Sequence, residues 1–151
     1  MALSPNRSKK QSAGSRRRAP SPPEDFVLFL DENLHNCKPI LDALVQQGIK
    51  HERHGQHFPP GTQDTAWLPV VGQRGWILIT KDKRIRFNDL EKEAVFFYGV
   101  REFYFTSGNH TGAEMAMMLF AALPEIIRLC GKQAPPFIAS ITKAGKVHLR
   151  L

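Results

Sequence analysis

Two short apolar runs, each leading into an aspartate, constrain this chain more than any other feature. Phe26–Leu30 (FVLFL) ends at Asp31, and Trp76–Thr80 (WILIT) is followed by Lys81 and Asp82. A strand without polar residues at alternate positions is buried on both faces, the normal state of a parallel sheet covered by helices. In such a sheet, ligands bind beyond the carboxyl ends of the strands. Asp31 and Asp82 are therefore expected at one edge, one or two strand spacings of about 5 Å apart.

The intervening pattern supports this layout. Leu34, Cys37, Leu41, Leu44 and Val45 fall on one helical face, with Asn33 as the expected N-cap and Gly48 as the stop. Ile49–Arg53 reads as a weak strand, His54–Gly61 as a loop and Asp64–Gln73 as a short helix containing Pro69. Asp89 can cap a helix to Tyr98 with Leu90, Ala94 and Phe97 inward, followed by a strand over Val100–Phe105. Thr111-Gly-Ala-Glu114 forms a capping box for a helix carrying Met115, Met118, Leu119, Ala122, Ile126 and Leu129, with a break expected at Pro124. Phe137–Thr142 and Lys146–Leu151, joined through Ala144-Gly145, read as an antiparallel hairpin at the sheet edge. This alternation implies right-handed crossovers and an α/β fold of three layers, with a central, mostly parallel sheet and a C-terminal β-hairpin.

Composition sets the limits. The 151 residues, 42% hydrophobic and 23% charged, suffice for one globular domain, expected over residues 24–151. The formal charge of +7 is unevenly spread. Six of the 21 Lys and Arg lie in residues 1–23, where there is no acid, leaving fifteen bases against fourteen acids. Residues 1–23 thus read as a disordered basic tail, a solvated leader or a site of nonspecific nucleic-acid attraction. Cys37 and Cys130 are too few for a disulfide framework and read as reduced, buried thiols of a cytoplasmic protein. The longest apolar run, Met115–Leu123, is far short of a membrane span of about 20 residues, and no secretory signal is expected at the N-terminus.

The acids carry the chemistry. Asp64 joins Asp31 and Asp82 as a third carboxylate, and three held together repel unless a cation neutralises them. Oxygen ligands without a supporting cysteine favour Mg²⁺ or Mn²⁺ over zinc. Lys81, Lys83, Arg84 and Arg86 surround Asp82, a basic rim suited to an anionic substrate above an acidic metal site. Phosphodiester cleavage unites the two halves. Plainer readings exist for each part: Asp31-Glu32-Asn33 as a polar strand exit, Asp64 as an N-cap, Lys81–Arg86 as a solvated loop. His51, His54 and His57 recur every three residues, a spacing that aligns no tetrahedral set in a strand or loop, with His57 the candidate for touching substrate. His35 and His148 read as surface positions, and Ser107–Thr111 lacks the context of a hydrolase nucleophile.

The blocks FLDENL (Phe29–Leu34), GTQDTAWLPVVG (Gly61–Gly72) and WILITKDKRIR (Trp76–Arg86) resemble the PIN-like superfamily of metal-dependent ribonucleases, specifically its short VapC-like toxin branch. The resemblance runs from about Phe26 to the end of the chain, where PPFIASITKAGKVHL also has the family's look. It implies that Asp31, Asp64 and Asp82 are catalytic and bind metal, that Glu32 joins them directly or through water, and that Thr80 orders the site. It also implies metal-activated hydrolysis of RNA, with Lys83, Arg84 and Arg86 holding backbone phosphates, and a cognate antitoxin and homodimer formation as in toxin members. The wider family carries a fourth acid, for which Asp89 is the candidate. Trp67, Phe58 and Phe87 are aromatic candidates for base stacking, with Trp67 reading better as core.

Two other functions compete with the nuclease. One is a catalytically weak PIN-like module that binds RNA or protein, favoured by the unplaced fourth acid and by the net charge of only +1 over residues 24–151. The other is a phosphoacceptor signalling domain, disfavoured by the cations crowding Asp82.

Overall fold

The computed structural model of the chain describes residues 22–81, 89–106 and 109–151. Asp82, Lys83, Arg84, Arg86, Phe87 and Ser107 lie outside them, as does most of the basic tail. In strand β1 (Leu28–Leu30) every residue is buried, because the alternating side chains enter two different cores. Leu28 and Leu30 join one cluster, and Phe29 joins another on the opposite face. The same division runs across the sheet: Ile77 and Ile79 of β3 (Ile77–Thr80) face the first cluster and Leu78 the second. The continuous apolar runs follow from this two-sided burial.

Between these strands lie α1 (Lys38–Gln46), β2 (His51–Arg53), the short α2 (His54–His57) and α3 (Asp64–Arg74). After β3 come α4 (Asp89–Phe97), β4 (Arg101–Phe105), α5 (Gly112–Lys132), β5 (Phe137–Ile141) and β6 (Val147–Leu149). The six-stranded sheet has the order β2-β1-β3-β4-β5-β6, parallel except for β6. Helices α1 and α5 cover one face, through Ile40, Leu44 and the row from Met115 to Ile127. Helices α3 and α4 cover the other, through Trp67, Leu68, Val71, Ala94 and Val95. The domain is a three-layer α/β/α sandwich, and among the described residues no helix is long and apolar enough to cross a membrane.

Several expectations need correction. Helix α1 starts at Lys38 with Cys37, not Asn33, at the N-cap, because Pro39 suits the first helical turn. Residues 32–36 instead form turns folded back on Asp31, whose carbonyl accepts the Leu34 and His35 N–H groups. Pro124 does not break α5, since Ala122, Leu123, Ile126 and Ile127 are buried on both sides of it. Strand β5 is parallel to β4, so only β6 of the terminal hairpin is antiparallel. Leu90 and Phe97 are 73% and 81% exposed; Ala94 and Val95 turn inward instead. Cys37 and Cys130 are half-buried, and burial pushes the Cys130 thiol up to about 11, which keeps it protonated and unreactive.

Helices α3 and α4 meet closely at one point. A Cβ on Gly72 would lie 2.0 Å from the carbonyl oxygen of Tyr98, a backbone atom with little room to yield. Gly72→Ala is expected to cost about 1–3 kcal/mol, as overpacked cores do. A drop in the denaturant midpoint measures it, and an unchanged midpoint would show that the helices separate freely.

Candidate metal centre at the sheet's switch point

Strand β1 pairs with β2 on one side and β3 on the other, so the strand order reverses between β1 and β3. The helices beside that reversal lie on opposite faces, which opens a crevice at the carboxyl ends of the two strands. The register Leu30↔Ile79 places Asp31 next to Thr80. The Asp31 N–H donates to the Ile79 carbonyl at 3.3 Å, extending the pairing by one residue.

Asp31 is 7% exposed, yet its carboxylate is well supported. Oδ1 accepts the Asn33 N–H at 3.0 Å, and Oδ2 accepts the Thr80 hydroxyl. These donors hold both oxygens in place and offset part of the cost of burying charge. Glu32 reaches across to the loop before α3, where its Oε2 accepts the Gly61 N–H at 3.0 Å. Asp64 opens α3, where the helix dipole favours a negative charge, and its Oδ1 accepts the Trp67 Nε1–H at 3.0 Å.

A cleft of about 100 Å³ collects these groups: Asp31, Glu32 and Asp64 line it together with Thr80, Trp67 and a further acid, Glu91 of α4. Asp89 does not take the fourth place. Its side chain is 87% exposed and pairs with Lys92 at 3.4 Å. Glu91 had a signal in the sequence: it stands three and four residues before Ala94 and Val95, an acid on the inward stripe of its helix. Phasing that helix on Leu90 and Phe97 concealed it.

The donor chemistry fits a hard divalent cation. Carboxylates and a hydroxyl line the cleft, and among the described residues no thiol or imidazole does, a hard-oxygen donor set that suits Mg²⁺ or Mn²⁺. Among the described residues no three acids, histidines or cysteines converge closely enough to enclose an ion by themselves. Asp82, two residues after Thr80, lies outside the described residues, as do Lys83, Arg84 and Arg86.

The three histidines go to three places. His51 Nδ1 lies 2.9 Å from the Ile49 carbonyl, and His57 Nε2 lies 2.7 Å from Glu52. His54 is 1% exposed, ringed by Phe29, Phe58, Trp67 and His35, and its ring nitrogens have no hydrogen-bond partner among the described residues. His35 is not a plain surface residue: its Nδ1 accepts the Gly55 N–H at 2.8 Å, tying α2 to the turn after β1. Trp67 is core, as its 4% exposure shows.

The comparisons with known proteins agree with this architecture. A family model described as a PIN-like domain matches residues 26–107. The chain belongs to the PIN-like domain family. It is also 26% identical over 117 residues to a Mycobacterium tuberculosis (strain ATCC 25618 / H37Rv) protein named "Putative ribonuclease VapC45", covering 76% of this chain and 84% of that protein. No solved structure matches the chain. The matched region of this PIN-like domain holds Asp31, Glu32, Asp64 and Glu91, together with Asp82.

Burial is the main force lowering the His54 pKa, assisted by His35 and opposed by Glu32 and Asp64. The folded state therefore keeps this ring neutral at a pH where the unfolded chain protonates it. Stability is fully present above about pH 6.5 and falls as pH drops below that value. Chemical denaturation at pH 7 and pH 5 should show a loss that is smaller in His54→Phe; equal losses would mean that His54 takes up its proton without cost.

Proposed function

We propose that this PIN-like domain is a Mg²⁺- or Mn²⁺-dependent endoribonuclease, the toxin of a toxin–antitoxin pair acting in the cytoplasm. The observation that carries the reading is the cleft at the switch point, which Asp31, Glu32, Asp64 and Glu91 line together. Carboxylates gathered at one cleft are the hard oxygen donors that a divalent cation takes. The named relative, a putative ribonuclease, supports RNA as substrate, and the cognate antitoxin follows from the sequence's resemblance to toxin members of the family.

In this reading Asp31, Asp64 and Asp82 hold the metal, with Glu32 and Glu91 at its margin. A bound divalent ion supplies a lowered water pKa and neutralises charge developing on the phosphate. The chain's own groups prepare the place. Thr80 and the Asn33 N–H fix the two oxygens of Asp31, Trp67 orients Asp64, and the Gly61 N–H restrains Glu32. Lys83, Arg84 and Arg86, adjoining Asp82 in sequence, position backbone phosphates, so affinity for RNA falls as salt rises.

A second reading, a module that binds RNA or protein with little catalysis, is favoured by one observation: residues 24–151 carry a net charge of only +1. The two separate cleanly. Cleavage of a mixed RNA pool by the full chain with Mn²⁺ is expected, and EDTA, Asp31→Asn or Asp82→Asn should each abolish it. RNA retained without cleavage by the wild-type chain would establish the binding module instead.

A further inference from the structure

The acidic cleft does not end at Glu91. It shares Asp64 and Glu91 with a neighbouring cleft of about 340 Å³, where Thr62, Gln63 and Thr65 form the wall. That cleft shares Thr65 and Leu90 with a shallower groove of about 650 Å³ along α4, bordered by Ala94, Phe96 and Phe97. The three adjoin at these shared residues and form a row from Asp31 to Phe97. Leu90 and Phe97, 73% and 81% exposed, lie seven positions apart and thus on one face of α4, about 10 Å along its axis. The Phe97 ring stands edge-on to Tyr98, at 4.9 Å and 89°.

We propose that this row is a path that seats single-stranded RNA beside the cleaved bond, with one base stacked on Phe97 and the adjoining part of the strand packed on Leu90. The proposal rests on the ribonuclease reading of the acidic cleft. A large ring exposed to water and continuous with a phosphodiesterase centre is a platform for an unpaired base, whose flat face it can cover. The hydroxyl and amide groups of Thr62, Gln63 and Thr65, between platform and acids, match the hydrogen-bonding edges of base and sugar. Thr62 already donates its hydroxyl hydrogen to the Pro59 carbonyl at 2.6 Å, which leaves its oxygen as an acceptor for a ribose 2′-hydroxyl.

Charge decides the orientation. Asp31, Glu32, Asp64, Glu91 and Glu93 line the path, and among the described residues no Lys or Arg does. Away from the cation proposed at Asp31 and Asp64 the path repels phosphates, so there the strand lies with its bases inward and its backbone toward solvent. A duplex, whose bases are paired and stacked, cannot present itself this way. An apolar protein segment would cover Phe97 and Leu90 equally well, but it would have no use for the polar middle of the path or for its continuity with the acids.

The test is steady-state cleavage of synthetic single-stranded RNA by the full chain with Mn²⁺, comparing wild type, Phe97→Ala, Phe97→Trp and Leu90→Ala. Removing the platform should raise KM about tenfold, the scale of one lost base–aromatic stack, with a smaller change in kcat. Phe97→Trp should restore KM, as a merely structural ring at this position would not require. Thermal melts of the variants check folding, which an 81% exposed side chain should barely influence. Equal KM in wild type and Phe97→Ala overturns the path while the nuclease stands. Altered self-association or protein capture at unchanged KM makes the face a protein interface and overturns it as well. If wild type cleaves no RNA, the nuclease reading fails first and the path with it.

Discussion

The pairing of β1 with β3 is the contact on which the site depends. It sets Asp31 beside Thr80, and the hydroxyl of one fastens the carboxylate of the other. A slip of one residue would turn Asp31 toward the opposite face and bury Phe29 in the wrong core. The apolar content of both strands forbids that slip, because Leu28, Leu30, Ile77 and Ile79 fit one cluster while Phe29 and Leu78 fit the other. Hydrophobic patterning therefore sets the geometry of a polar site. The crevice beyond the carboxyl ends arises because α1 and α3 cover opposite faces of the sheet, so it is a product of topology rather than of any local motif.

Much of this was legible because buried strands leave an unambiguous trace. FVLFL and WILIT marked two strands, and the aspartates after them marked the edge where chemistry belongs. Asp31 and Asp64 do share a cleft, while Asp82 and the cations after it lie outside the described residues. What could not be read were features decided by tertiary contacts. The phase of α4 depended on which side faced the sheet, and a single helix offers two candidate apolar stripes when Leu90, Ala94, Val95 and Phe97 all occur within eight residues. Choosing the wrong stripe hid Glu91. The start of α1 depended on the Asp31 turn, whose carbonyl holds two N–H groups that an earlier helix would have used.

The acids also share a foundation. Phe29, two residues before Asp31, stacks on Trp76 at 5.4 Å and lies 5.6 Å from Trp67, whose indole N–H holds Asp64. One aromatic cluster therefore sets the relative positions of two carboxylates that are 33 residues apart in sequence. Buried His54 belongs to the same cluster, touching Phe29 and Trp67. Its neutral ring adds packing without adding a positive charge beside Glu32 and Asp64.

The contact at Gly72 completes the geometry. Helices α3 and α4 each run from the carboxyl edge of the sheet toward its amino edge, since each leads into a parallel strand. They meet through the Gly72 backbone and the Tyr98 carbonyl, near their C-terminal ends. The clefts lie toward the other end, around Asp64, Thr65, Leu90 and Glu91. The close backbone contact made possible by Gly72 therefore lies at one end of the helix pair, and the acidic cleft lies at the other. The polar and acidic first turns, which gain nothing from burial against each other, line that cleft. The residues that pin the helices and the residues proposed to act on RNA are thus separate sets, so the cleft can change its chemistry without loosening the fold.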